Sequence, residues 1–212
     1  MDLHALFASY NWTLSVSEEA LLRKFLELFI AYNTHTNLSA IRDEEGIIVK
    51  HFIDSLAVLR VLPFQGRILD IWSGGWFPGI PLKILQPLLD ITLLDSVGKK
   101  VKAMNYFIEN LWLQHISAVQ ERAEILAKDR NYAGKYDFVV SRATAYMTDI
   151  LPWSVPFLKK HGKIALYKIY SEEEHRDSEQ IAKKLWLILE KVFQYELVWQ
   201  ARCIYIFSKK YL

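Results

Sequence analysis

The segment from Arg67 to Ile80 constrains the fold more than any other. A short apolar run ends on Asp70-Ile71 and meets Trp72-Ser73-Gly74-Gly75-Trp76-Phe77-Pro78-Gly79, after which an amphipathic stretch resumes at Ile80. A strand, a glycine turn and a helix start in that order let backbone N–H groups close on a ligand, the layout of a nucleotide-cofactor loop. Tryptophan stands at two positions, 72 and 76, where that layout wants glycine.

From Arg67 onward the chain alternates short β runs with helical ones. The pattern predicts strands at 67–71, 91–95, 116–119, 136–141 and 162–168, and helices at 80–86, 98–111, 121–128 and 147–158. Ser171 with Glu174 caps a helix running to about 187, and strands near 189–197 and 201–208 follow. Such alternation implies an α/β fold with a mostly parallel sheet covered on both faces, and the short final connection implies an antiparallel hairpin at one edge. Upstream, Ser15 and Glu18 form a capping-box pair for a helix over 15–33. A second helix covers 45–61, with His51 and Asp54 on one face. The expected organisation is one compact unit, a helical extension over 1–63 ahead of an α/β domain over 64–212.

Composition excludes several classes. The chain is 52% apolar, enough for a full core, yet no segment nears the roughly 18 uninterrupted apolar residues of a membrane span. Residues 1–14 lack the basic-then-apolar pattern of a secretory signal. The single cysteine, Cys203, sits in a strand-like run and reads as a buried thiol in a cytosolic protein. A net charge of +2 says little about nucleic acid. No cysteine or second nearby histidine joins His51, so no metal site is expected.

In a sheet of this kind ligands bind outside the carboxyl ends of the strands. Five strand ends bring polar residues to that rim: Asp70 with the glycine loop, Asp95-Ser96, Glu121 to Glu124, Ser141-Arg142 and Lys168. Asp70 precedes the loop, where it would repel a pyrophosphate but suit the ammonium of an amino acid. Asp95, about 20 residues after the glycines, suits ribose hydroxyls. Two acids so placed favour S-adenosylmethionine over a nicotinamide dinucleotide. The one Tyr-x-x-x-Lys pair, Tyr205 and Lys209, falls in a strand and gives hydride transfer little support.

Asn37-Leu38-Ser39-Ala40-Ile41, His51-Phe52-Ile53-Asp54-Ser55-Leu56, Phe77-Pro78-Gly79-Ile80-Pro81 and Leu93-Leu94-Asp95-Ser96-Val97-Gly98-Lys99-Lys100 resemble, in order and spacing, the bacterial 16S ribosomal RNA (guanine-N7) methyltransferase family, RsmG or GidB. Glu121-Arg122-Ala123-Glu124 and Val140-Ser141-Arg142-Ala143 extend the likeness, which runs from about residue 15 to the C-terminus. The resemblance implies a seven-stranded, Rossmann-like class I methyltransferase behind a helical cap, acting on a guanine N7 in the 16S loop near the decoding centre; a monomer is expected. The resemblance also implies a cofactor site of Asp70, the backbone of Trp72, Gly74, Phe77, Asp95, Ala123, Glu124 and Arg142, and Arg142 and Lys168 as the catalytic candidates, Arg142 also reaching RNA and Lys168 meeting a phosphate. Arg142 paired to an acid such as Glu124 is the structural alternative, and a solvated strand-end lysine is the alternative for Lys168. His51 and Asp54 are read as packing or capping residues rather than catalytic ones. Lys99, Lys100 and Lys102, with Lys159, Lys160, His161 and Lys163, form a candidate basic rim for RNA phosphates. A catalytically inactive RNA-binding relative, and a class I methyltransferase with another substrate, stay open beside the main reading.

The tryptophans form a chain-wide pattern. The chain has 8 Gly and 7 Trp, whereas average usage gives about 15 glycines in this length. The family has glycine at 72 and 76. Trp112 and Trp186 follow amphipathic helices in slots where a helix ends on glycine, and Trp12 and Trp199 lie in turn-like contexts, whereas Trp153 reads as core. Some bacterial lineages read UGA as glycine where a common alternative code reads tryptophan, so the expectation is that six of the seven are glycine positions.

Overall fold

A computed structural model describes residues 1–36, 39–74, 77–142 and 145–210. Asn37, Leu38, Gly75, Trp76 and Ala143, which belong to the motifs above, lie outside the described residues. Seven strands, β1 (Arg67–Ile71), β2 (Asp90–Asp95), β3 (Ile116–Gln120), β4 (Tyr136–Ser141), β5 (Leu158–Lys168), β6 (Leu187–Leu197) and β7 (Gln200–Lys209), form one sheet in the order β3-β2-β1-β4-β5-β7-β6. Neighbours pair in parallel except β7, which runs antiparallel to both β5 and β6. Strand order reverses between β1 and β4, so the crevice for a ligand opens at their carboxyl ends.

The central strands are buried on both faces, and their alternate residues feed two separate cores, while the edge strands β3 and β6 are largely half-buried or exposed. Ile68, Leu93, Val140, Ala165 and Ile206 face one core, and Leu69, Leu94, Val139, Ile164 and Phe207 face the other. The first core takes in α1 (Leu3–Ser9), α2 (Val16–Thr36), α5 (Gly79–Leu85) and α6 (Gly98–Asn110). The second holds α7 (Ala123–Leu126), α8 (Met147–Ser154) and α9 (Glu172–Lys184). Cys203, in β7, is fully buried, and burial raises its thiol pKa to about 11.

The N-terminal helices share the first core with the sheet. Phe25 of α2 stacks on Phe52 with ring centroids 4.9 Å apart, and meets Phe107 of α6 edge-on at 5.3 Å. The capping box forms as the sequence implies: Glu18 N–H donates to Ser15 Oγ at 3.3 Å, and Ser15 N–H donates to Glu18 Oε2 at 2.7 Å. The helix expected over 45–61 is continuous but not uniform. It starts as α3 (Glu44–Ile47), widens into a π-helical segment (Ile48–Ile53), and tightens through α4 (Asp54–Leu56) into a 3-10 turn (Ala57–Arg60). Helix α1 is an addition to the sequence reading, capped by Asp2, whose carboxylate accepts from Ala5 N–H at 2.9 Å. No helix among the described residues is long and apolar enough to cross a membrane.

Candidate cofactor site at the carboxyl rim

Strand β1 delivers Asp70 to the switch point fully buried. Its Oδ2 accepts a 2.8 Å hydrogen bond from Gly79 N–H, which ties the end of the loop and the first turn of α5 back to the strand. Only glycine permits this approach: a Cβ at 79 would lie 2.8 Å from Asp70 Oδ2 and 2.2 Å from the Leu93 side chain. The other oxygen, Oδ1, is buried without a hydrogen-bond partner among the described residues. Burial raises the carboxyl pKa to about 7, with the Gly79 hydrogen bond opposing that shift. Ser73 secures the near side of the loop, its hydroxyl donating to Asp70 C=O at 2.6 Å and its N–H to Leu94 C=O at 3.1 Å.

Asp95 closes β2 beside the same loop. Its Oδ1 accepts from Val97 N–H at 2.9 Å, and its Oδ2 lies 3.6 Å from Lys100 Nζ. A Cβ at Gly74 would meet Lys100 Nζ at 2.6 Å and Asp95 Oδ2 at 3.0 Å, so glycine lets the loop backbone touch the strand-end acid. At the start of α7, Ala123 is buried and Glu124 is exposed on the rim.

Arg142, just past β4, is clamped from the N-terminal helices. Its guanidinium donates to Asp54 Oδ2 at 2.9 Å, to Lys50 C=O at 2.7 Å and to His51 Nδ1 at 3.0 Å. It also lies over the Phe77 ring at 5.0 Å, and His51 stacks on that ring at 4.6 Å. Burial, then the Arg142 charge, lowers the His51 pKa to about 3, so the ring is neutral. With Nδ1 accepting from arginine, Nε2 carries the proton and donates to Ser39 Oγ at 2.9 Å. Asp54 is fully buried and also accepts from Tyr195 Oη at 2.7 Å and Arg202 at 3.2 Å. The partner of Arg142 is therefore Asp54 and not Glu124, and the spacing of His51 and Asp54 serves to grip it.

Lys168 is neither solvated nor facing open space. Its side chain is 7% exposed and sits 2.6 Å from Glu174 Oε1, with a further bond to Ala145 C=O. Glu174 also accepts from Met147 N–H at 3.0 Å, so this pair anchors the segment between β4 and α8. The basic residues do not make one rim. Lys99 and Lys102 are exposed on α6 near the site, but β5 begins at Leu158, so Lys159 to Lys163 stand at its amino end, on the far side of the sheet. There Lys159 pairs with Asp137 at 2.7 Å and Lys163 with Glu190 at 2.6 Å. Among the described residues no cluster of His, Cys, Asp and Glu is built to hold a metal.

The acid end of the site fits S-adenosylmethionine. A buried carboxylate oxygen without a partner suits an ammonium, and Asp95 beside Gly74 suits ribose hydroxyls. Trp72 fits poorly. It follows β1 directly with φ +59°, and its ring packs edge-on against Trp153 at 4.4 Å.

The raised Asp70 pKa carries a stability prediction. Between its unfolded value near 3.8 and its folded value near 7 the folded state binds the extra proton, so this residue lowers stability as pH rises through that window. Asp70→Asn keeps an acceptor for Gly79 N–H and removes the buried charge. Its melting temperature without ligand is expected to exceed the parent's at pH 8, with the gap closing towards pH 4. Thermal scans across that range check it, and a gap independent of pH would refute the assignment.

A family model described as rRNA small subunit methyltransferase G matches residues 18–197. The ribosomal RNA small subunit methyltransferase G of Oenococcus oeni is 36% identical over 193 residues, covering 88% of this chain and 80% of its own. The protein of the same name from Streptococcus pneumoniae serotype 19F is 34% identical over 196 residues, covering 91% and 83%. Among solved structures, a methyltransferase from Pyrococcus furiosus superposes with a TM-score of 0.61 at 16% identity, covering 87% of this chain and 98% of that one. M. jannaschii TYW2, solved in complex with AdoMet, gives a TM-score of 0.59 at 13% identity over 80% of this chain and 77% of that one. At such identities the structural likeness speaks for the fold alone.

Proposed function

The chain belongs to the rRNA small subunit methyltransferase G family, and from that premise we propose that it methylates 16S rRNA at N7 of guanine 527, as a cytoplasmic monomer using S-adenosylmethionine. The observation that carries this reading is the buried Oδ1 of Asp70 at the switch point, which has no hydrogen-bond partner among the described residues. A dinucleotide would bring phosphate to that carboxylate, whereas an amino-acid ammonium satisfies it.

When bound, S-adenosylmethionine supplies an electrophilic methyl on a cationic sulfur. Asp70 takes the ammonium and Asp95 the ribose hydroxyls. The backbone around Ala123, with Glu124, faces the adenine, while Phe77, Gly74 and the backbone of residue 72 shape the floor. Guanine N7 is an acceptor with a free lone pair, so no proton has to leave before attack and no general base is required. The neutral, hydrogen-bonded His51 is consistent with this, because it positions Arg142 rather than moving protons. Arg142 meets cofactor and RNA at the rim, and Lys168 holds the segment after β4 through Glu174. In-line positioning of the two reactants supplies about 7–11 kcal/mol of the barrier reduction.

A second reading, RNA binding without methyl transfer, applies to the polypeptide with an indole at 72. The test uses the chain as written and its Trp72→Gly/Trp76→Gly form with small subunits lacking the modification. Methyl transfer followed by mapping of the modified base is expected to give N7-methylguanine at position 527 with the glycine form. Methyl on another base would overturn the substrate assignment. If neither form binds S-adenosylmethionine by calorimetry, the methyltransferase reading fails.

A further inference from the structure

Seven non-glycine residues among those described have positive φ, and four are tryptophans: Trp72 (+59°), Trp112 (+54°), Trp186 (+57°) and Trp199 (+61°). A few per cent of non-glycine residues adopt such angles, and bulky ones are outliers. Four of six described tryptophans would do so by chance about once in ten thousand.

Each site is a backbone device that selects glycine. At the end of α6, Trp112 N–H donates to Glu109 C=O and Leu113 N–H to Ile108 C=O, both at 3.1 Å. This is a Schellman motif with Trp112 in the left-handed position normally held by glycine. Trp186 takes the same left-handed position after α9, its N–H reaching Lys183 C=O at 3.3 Å, the shorter-range of the two Schellman bonds. Trp199 is the second residue of the two-residue turn joining β6 to β7, between the paired Leu197 and Gln200, and the φ of Val198 is also positive. Turns with two left-handed residues favour glycine at the second. Trp72 follows β1 directly, at the start of the loop that leads to α5.

Burial offers little compensation at three of these sites, since Trp112, Trp186 and Trp199 are 79%, 56% and 94% exposed. The two other described tryptophans behave differently. Trp153 lies within α8 and packs on the second core. Trp12, expected from sequence to replace glycine, does not: Asn11 occupies the left-handed slot after α1, and Trp12 packs on the core beneath Arg60, 5.2 Å away. Strain therefore sorts the tryptophans into two sets that their sequence neighbours do not define.

We propose that positions 72, 112, 186 and 199 carry glycine in the protein its own cell makes, inserted at UGA codons that this cell reads as glycine. Trp76, outside the described residues, joins the set on the loop pattern alone, and Trp12 and Trp153 are genuine. The inference does not rest on the methyltransferase reading, because three of its four sites lie away from the cofactor loop.

Two measurements test it. Peptide mass spectrometry of the protein from source cells, read against the coding DNA, is expected to find glycine at UGA for the four positions and tryptophan at UGG for 12 and 153. UGG at the four positions would overturn the proposal. In the full chain as written, Trp112→Gly/Trp186→Gly/Trp199→Gly is expected to raise the melting temperature by roughly 5–10 °C by relieving left-handed strain. Trp12→Gly and Trp153→Gly are each expected to lower it. A triple variant that melts no higher than its parent would equally overturn the proposal, whatever its activity.

Discussion

Exchanging Trp72 and Trp76 for glycine is expected to raise the affinity for S-adenosylmethionine at least about 100-fold. Trp72 immediately follows β1, and its backbone must fold into the loop that approaches the ligand. Its indole adds bulk there, and its left-handed φ adds strain of about 1–2 kcal/mol. That strain burdens the free and bound chain alike and so lowers stability, not affinity. Relief of the steric overlap alone, at about 3 kcal/mol, gives the gain, since each 1.4 kcal/mol is a factor of about ten in binding. Calorimetry on the parent, each single variant and the double variant apportions the gain between the two positions. Trp153→Ala is the control: it removes the ring that Trp72 touches at 4.4 Å while leaving the indole in the loop, and should not restore binding. Equal affinity in parent and double variant would show that the indole does not exclude the ligand. The codon assignment would then stand or fall on its own evidence.

Much of this architecture was legible in the sequence because a parallel sheet buried on both faces writes its strands as short apolar runs. The expected strand at 67–71 and that at 136–141 match β1 and β4 to the residue. What escaped reading has physical reasons. Helix α1 has only seven residues, too few for a periodic pattern, and declares itself only through Leu3 and Phe7 on one buried face. The uniform helix expected at 45–61 hid a π-helical turn, since side-chain pattern alone does not reveal an extra residue in a turn.

At the site, the strand-end acids were legible from the loop layout, but partners were not. Arg142 meets Asp54 across 88 residues, a contact that local spacing cannot encode. Lys168 looked available because strand ends usually face water, and Glu174 on the following helix neutralises it. The turn-like context of Trp12 suggested glycine because sequence could not say which of two adjacent residues, 11 or 12, takes the left-handed conformation.

The contact between Arg142 and Asp54 leads to a further large effect. Asp54 accepts from three side chains on separate elements, Arg142 after β4, Tyr195 on β6 and Arg202 on β7. Burial, with the Asp54 carboxylate adding to it, pushes the Tyr195 hydroxyl pKa well up, so it remains a donor. Asp54→Ala would leave two guanidinium groups, only 15% and 21% exposed, without their shared anion. Breaking a buried pair in this way costs about 3–5 kcal/mol, a fall in melting temperature of roughly 6–20 °C for a chain this size. Asp54→Asn keeps an acceptor and should lose less. The same change frees Arg142 from one of the groups that fix it over Phe77, and a shift of about 1 Å at a positioning group costs on the order of 100-fold in turnover. A double-mutant cycle with Arg142→Met separates this loss from simple destabilisation. If Asp54 acts through Arg142, the loss in kcat/KM caused by Asp54→Ala should largely vanish when Arg142 is already methionine, while the thermal loss shrinks as well. Losses in kcat/KM that simply add would mean the carboxylate does not position the arginine.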